Sequence, residues 1–246
     1  MKPFLILQLR PETVASDAEF QAFLEKGRLT ADEVHRVSLD QETLSTDITL
    51  NSYSGVIVGG GPGCVSDCPT SRNSLEAKME AQVMSLMPQI TSEDIPFLGC
   101  CLGIGVLGHH LAQAVSKDRY GEEAGLARCN LTADGQNDPM LEDVPQEFDA
   151  FVGHKEALQH LPEGCTHLVQ SPFCPFQMIR YRQNVYATQF HPEADGAEFA
   201  NRLNMYRDKG YFPPEEVDRL MALCRAADAS APPKIVANFV ARYRAA

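Results

Sequence analysis

The sequence predicts an α/β protein with a mostly parallel central sheet and helices on both faces. A mixed sheet continues it in the second half, and a helical extension closes the chain. Three observations carry this prediction. Apolar runs such as FLILQL (Phe4–Leu9) and GVIVGG (Gly55–Gly60) have strand length and no polar alternation, as strands buried on both faces do. Stretches with helical spacing separate them, and strand–helix alternation specifies parallel crossovers. Later, short strand candidates follow one another with hairpin-like breaks, the pattern of antiparallel pairing.

The elements follow in order. After the first strand, Ser16 and Glu19 form an S-x-x-E capping box for the amphipathic stretch DAEFQAFLEKG, and Gly27 ends it. EVHRVSL reads as the second strand and GVIVGG as the third. Ser74–Met87 has helical spacing and stops at Pro88, because proline lacks the N–H that an interior helical position needs. PFLGC is the fourth strand and LGIGVLGHHLAQAV the helix after it. LARCNLT, FDAFVGH, THLVQS, FQMIRYR and VYATQF then read as short strands, with RQN as a turn between the last two. From Ala197 the chain is helical, in three segments separated by GYFPP and ASAPP. This predicts one domain over residues 1–196, with residues 197–246 a helical extension against the same domain.

Composition narrows the function. The 246 residues are enough for a substantial core, and 44% hydrophobic with 22% charged residues is ordinary for a globular protein. A net charge of −12 without a basic cluster excludes a nucleic-acid or anionic-membrane surface. The N-terminal apolar run is too short for a secretory core, and no stretch approaches the roughly 18 apolar residues of a membrane span. The expected location is the cytoplasm, where the eight cysteines stay reduced. Cys64 and Cys68 lack a second pair at zinc-finger spacing, so no metal is expected. No cofactor motif is present: GGGPG is not followed by the GK[ST] of a phosphate loop.

The chemistry centres on IPFLGCCLGIG. The pattern G-x-C-x-G fits only Gly99-Cys100-Cys101-Leu102-Gly103. In such an elbow the central residue sits on a sharp strand-to-helix turn, and the flanking glycines let strand and helix approach. The Cys101 thiol then lies at a helix N-terminus, where the dipole favours a thiolate. The Leu102 N–H points where an oxyanion would form. Cys100 should point to the opposite face, into packing.

A cysteine nucleophile needs a base, itself oriented by a third group. Of seven histidines, His191 ends an apolar strand, is held extended by Pro192, and has Glu193 two residues on.

PFLGCCLGIG, QFHPE and the loop VIVGGGPG (Val56–Gly63) together resemble the class I glutamine amidotransferases, in particular stand-alone proteins similar to the glutaminase domain of GMP synthase. The resemblance implies their flavodoxin-like fold and a Cys-His-Glu triad: Cys101 as nucleophile, His191 as base and then acid, Glu193 as orienter. It implies an oxyanion hole from the Gly61 and Leu102 N–H groups, and substrate contacts at Gly105, Gly153, His154 and Lys155. The substrate would be glutamine or another γ-glutamyl compound, and a synthetase is the partner implied for the ammonia.

The match departs from the family at one telling position. The family elbow continues to a glutamine that helps hold the substrate's α-amino-acid end, and here that position is Gly105. Three readings follow: a glutaminase, a γ-glutamyl peptide hydrolase that does not use free glutamine, or a weakened binding or regulatory module. No ATP-pyrophosphatase motif accompanies the amidotransferase motifs.

Overall fold

A computed structural model describes residues 2–45, 47–68, 70, 73–112, 115–208 and 212–244. Its centre is a nine-stranded sheet. The strands are β1 (Phe4–Gln8), β2 (Val34–Ser38), β3 (Gly55–Val58), β4 (Phe97–Cys100), β6 (Glu122–Leu131), β7 (Glu147–His154), β9 (Cys165–Gln170), β10 (Met178–Tyr181) and β11 (Val185–Thr188). Their order is β2-β1-β3-β4-β11-β10-β9-β6-β7. The pairings from β2 to β11 are parallel, and those from β11 through β10, β9 and β6 to β7 are antiparallel. A separate ribbon pairs β5 (Val115–Ser116) with β8 (Ala157–Leu158).

The helices are α1 (Thr13–Gly27), α2 (Ser74–Glu93), α3 (Leu102–Ala112), α4 (Gly196–Met205), α5 (Val217–Ala226) and α6 (Pro233–Tyr243). Alternate residues of the parallel strands feed two cores. Phe4, Ile6, Ile57, Leu98 and Cys100 join Phe23 of α1 and Phe239 of α6 on one face. Leu5, Leu7, Val56, Val58 and Phe97 join Val83 of α2 and Leu107 of α3 on the other. Each buried aliphatic side chain contributes about 1.5–3 kcal/mol, which explains why these strands carry no polar alternation. Helices α4 and α5 form a third cluster with Ala124 and Phe151 at the β6–β7 end.

The structure corrects three local expectations. Helix α1 begins at Thr13, so Ser16 and Glu19 lie inside it, fully or nearly buried, and are not a capping box. The helix does end at Gly27, with Arg28 taking the left-handed cap at φ 50°. Helix α2 continues through Pro88 to Glu93. A mid-helix proline costs about 3 kcal/mol, and the burial of Met87 and Ile90 against the sheet outweighs it. The helix expected over residues 102–115 ends at Ala112. Gln113 and Ala114 lie outside the described residues, as do Gly210 and Tyr211 of GYFPP, and Val115 belongs to β5.

Among the described residues, no helix is long and apolar enough to cross a membrane. All eight cysteines are free thiols.

Candidate active site

β4 ends at Cys100 and α3 starts at Leu102, so Cys101 alone makes the turn. Its φ is 53°, the left-handed region that costs a non-glycine residue about 1–3 kcal/mol. The surroundings enforce it. The Cys101 N–H donates to the Thr188 carbonyl at 2.8 Å, and the Ile104 N–H donates to the Cys101 carbonyl at 3.1 Å. A Cβ on Gly99 would lie 2.8 Å from the Gly103 carbonyl carbon, so strand and helix touch backbone to backbone. Cys100 is fully buried among the residues facing α1 and α6. Cys101 faces the opposite way and lines two adjoining cavities.

The glycine loop after β3 lies over this turn. The Gly60 N–H donates to Glu19 Oε2 at 3.2 Å. A Cβ on Gly60 would sit 2.8 Å from His191 Cε1. Gly61 lines both cavities beside Cys101, and a Cβ there would meet the Leu9 carbonyl oxygen at 2.9 Å. Leu102 is the first residue of α3, so its N–H is one of the helix-start donors with no intrahelical partner.

His191 lies just past β11, its N–H donating to the Phe151 carbonyl at 2.9 Å. Its Nδ1 is 2.9 Å from Glu193 Oε1 and 3.0 Å from Arg202 Nη1. Arginine only donates, so Nδ1 either gives its proton to Glu193 or accepts one from Arg202. The first arrangement leaves the Nε2 lone pair available as a base. It is favoured because both Arg202 nitrogens already reach Glu193 Oε1 at 3.2 Å.

Burial pushes the Cys101 thiol up to about 12, with Arg10 opposing it only in part. The resting group is therefore a thiol, not the thiolate expected from the helix N-terminus, because desolvation outweighs the dipole. Burial likewise lowers His191 from its ordinary value, Arg202 adds to the effect and Glu193 opposes it. Burial alone would raise Glu193, yet His191 and Arg202 hold its carboxyl well below the usual carboxylate range. A neutral imidazole and a neutral thiol lining one cavity, the imidazole backed by an anionic carboxylate, make a pair that can pass a proton at the moment of attack.

Residues 18–205 match the family model for glutamine amidotransferase class-I. The chain belongs to this family.

The chain is 30% identical over 156 residues to a glutamine-hydrolyzing GMP synthase subunit from Methanocaldococcus jannaschii, covering 61% of this chain and 69% of that one. It is 31% identical over 175 residues to the GMP synthase of Bacillus velezensis, covering 70% of this chain but 29% of that enzyme. Among solved structures, a glutamine amidotransferase from Thermotoga maritima superposes with a TM-score of 0.76 at 17% identity, with both chains covered completely. One from Methylobacillus flagellatus gives 0.69 at 20% identity, covering 99% and 94% of the two chains. At these identities the structures show a shared fold.

In this amidotransferase, Gly105, Gly153, His154 and Lys155 line one cavity beside Cys101, together with Cys64, Glu156 and Gln189. Both ring nitrogens of His154 are engaged, Nδ1 with the Glu156 carbonyl at 2.9 Å and Nε2 with Glu122 Oε2 at 3.0 Å. The other cavity holds His191, Arg10, Arg202, Phe199, Leu203 and Phe212.

Two groups near the site escaped the sequence. Arg202 sits on α4, four residues after Glu198, and such spacing reads as a surface ion pair. Glu156 accepts the Val65 and Ser66 N–H groups, each at 2.9 Å, and fills the space beside Gly105. Neither carries a local signal, since each meets its partner through the fold.

Proposed function

We propose that the chain hydrolyses a γ-glutamyl amide through Cys101, His191 and Glu193, by way of a γ-glutamyl thioester, releasing ammonia or an amine. The observation that carries this reading is the meeting of two cavities at Cys101, only one of which contains His191.

The chemistry follows from that arrangement. His191 Nε2 takes the Cys101 proton as sulfur attacks the γ-carbonyl carbon. The developing oxyanion is met by the Gly61 and Leu102 N–H groups. Collapse breaks the C–N bond, and His191 returns its proton to the departing nitrogen. Water, deprotonated by His191, then attacks the thioester and restores the thiol, releasing the γ-carboxylate. Glu193 holds the Nδ1 proton throughout.

Because the leaving nitrogen receives its proton from His191, it departs into the cavity that holds His191. The glutamyl part then occupies the cavity of Gly105, Gly153, His154 and Lys155. The leaving-group cavity is walled by Phe199, Leu203 and Phe212. This apolar lining supports an amine with a carbon body as the leaving group. In this reading α4 belongs to the catalytic unit, since it supplies Phe199, Arg202 and Leu203 to the cavity.

A second reading has the chain delivering ammonia to a synthetase, and its support is the likeness to a separate GMP synthase subunit. The test is ammonia or amine release from glutamine and from γ-glutamyl peptides, together with labelling by a glutamine-like electrophile. Peptide turnover with Cys101 labelled is the expected result. Full activity in Cys101→Ala would sink the mechanism, and turnover of glutamine alone would move the chain to the second reading.

A further inference from the structure

A cluster of metal-binding donors lies outside the triad. We propose that Glu122, His154 and Cys174 form a binding site for one zinc-class transition-metal ion, tying together the start of β6, the end of β7 and the β9–β10 loop. One ligand atom from each residue lies within 4.8 Å of the other two.

Proton accounting around His154 shows what the cluster lacks. Its Nδ1 lies 2.9 Å from the Glu156 carbonyl oxygen, which can only accept, so Nδ1 carries a proton and donates it. Nε2 then turns its lone pair to Glu122 Oε2 at 3.0 Å. Two acceptors at that distance need a positive charge between them. A backbone carbonyl on Nδ1 with Nε2 free is also the arrangement that orients a metal-ligating histidine.

A proton between Nε2 and the carboxylate would satisfy only those two groups. Cys174 Sγ stands beside them, fully buried and held by the Phe176 N–H. The Gln177 amide nitrogen donates to Glu122 Oε2 at 2.7 Å and contacts Ser171 Oγ at 3.1 Å, but its oxygen is buried without a hydrogen-bond partner. A half-turn of that amide exchanges oxygen and nitrogen, which brings a fourth donor to the cluster. A cation satisfies all of these groups at once.

The donor chemistry selects the metal class. Imidazole nitrogen, thiolate and carboxylate suit Zn²⁺ and its borderline neighbours, whereas Mg²⁺ and Ca²⁺ require oxygen shells. A metal takes cysteine as the thiolate, so binding expels the Cys174 proton to solvent and affinity rises with pH. An open cleft bordered by Gly121, Glu122, Glu123 and Lys155 provides the approach. The ion would sit behind Gly153 and His154, on the wall of the glutamyl cavity, and the inference stands apart from the triad reading.

The test uses the full chain carrying Cys101→Ala, so that Cys101 and His191 cannot bind metal together, after dialysis against a chelator. Titration with Co²⁺ should give one equivalent with a thiolate-to-cobalt absorption band, displaced by Zn²⁺. Cys174→Ser should abolish the band. Glu122→Gln should keep it but weaken binding by about tenfold or more. Zn²⁺ should raise the Tm of the parent and not that of Cys174→Ser, which checks folding in the same measurement. Absence of the band in the parent, or its survival in Cys174→Ser, overturns the proposal.

Discussion

Glu156 Oε1 lies 3.0 Å from the point where a Cβ on Gly105 would sit. Glycine at the elbow and glutamate after His154 are thus spatial complements, and the carboxylate occupies the room that a side chain at 105 would need. Glu156 uses it to hold the backbone of Val65 and Ser66.

Gly105→Gln should therefore not restore a glutamine-binding side chain. It should displace Glu156 and lower stability by about 1–3 kcal/mol, the range for stranding buried hydrogen-bonding groups. Adding Glu156→Ala should recover part of that loss, a non-additivity that urea unfolding of the single and double variants reads directly. Additive losses would remove the link between the two positions.

The two elbow glycines should respond unequally. A Cβ at Gly99 meets backbone at 2.8 Å, whereas one at Gly103 finds Val58 at an ordinary 3.6 Å. Gly99→Ala should push β4 from α3 and cost several-fold more activity than Gly103→Ala. Equal losses would place the constraint elsewhere.

Glu193→Gln should leave the fold intact and lower kcat by roughly 10²-fold or more, by analogy with removal of the acid in other histidine triads. Its amide can present nitrogen to Nδ1 and so favour the wrong tautomer. Folding is checked by circular dichroism, and a variant retaining full kcat would exclude Glu193 as orienter.

The pH profile tests Arg202. As the proposed base, His191 must be neutral, and its folded value lies below the ordinary 6.5 because burial and Arg202 disfavour the imidazolium more than Glu193 favours it. The acid limb of kcat/KM should thus fall below pH 6.5. Arg202→Met removes one depressing charge, so the limb should move to higher pH, and Arg202→Lys should bring it back. In stability, this depressed group contributes fully above pH 6.5 and its contribution is lost as pH falls through the folded value. An unmoved limb in Arg202→Met would assign Arg202 to packing alone.

Much of the candidate site was legible because its signals are local. G-x-C-x-G prescribes a turn that needs no distant partner to be recognised, and Cys101 adopts it at φ 53°. His191 and Glu193 are two residues apart, so their 2.9 Å contact depends on one turn. The same locality misled at Ser16 and Glu19. They have capping-box spacing, but Glu19 is buried and pairs with Arg10 at 2.6 Å. Pro88 carried a local stop signal that the buried face of α2 overrode.

Apolar periodicity and glycine placement report backbone conformation and burial residue by residue, so the strand runs, the helix alternation and the elbow could be read along the chain. The packing of whole elements is what sets Arg202 behind Glu193, puts Glu156 in the space at Gly105, and brings Glu122, His154 and Cys174 together. Glu122 and His154 lie 32 residues apart, and Glu156 reaches Val65 across 91. Such contacts depend on strand order and register, such as Glu122 facing His154 across β6 and β7. Register is set by the burial of whole faces, and no short stretch of sequence encodes it.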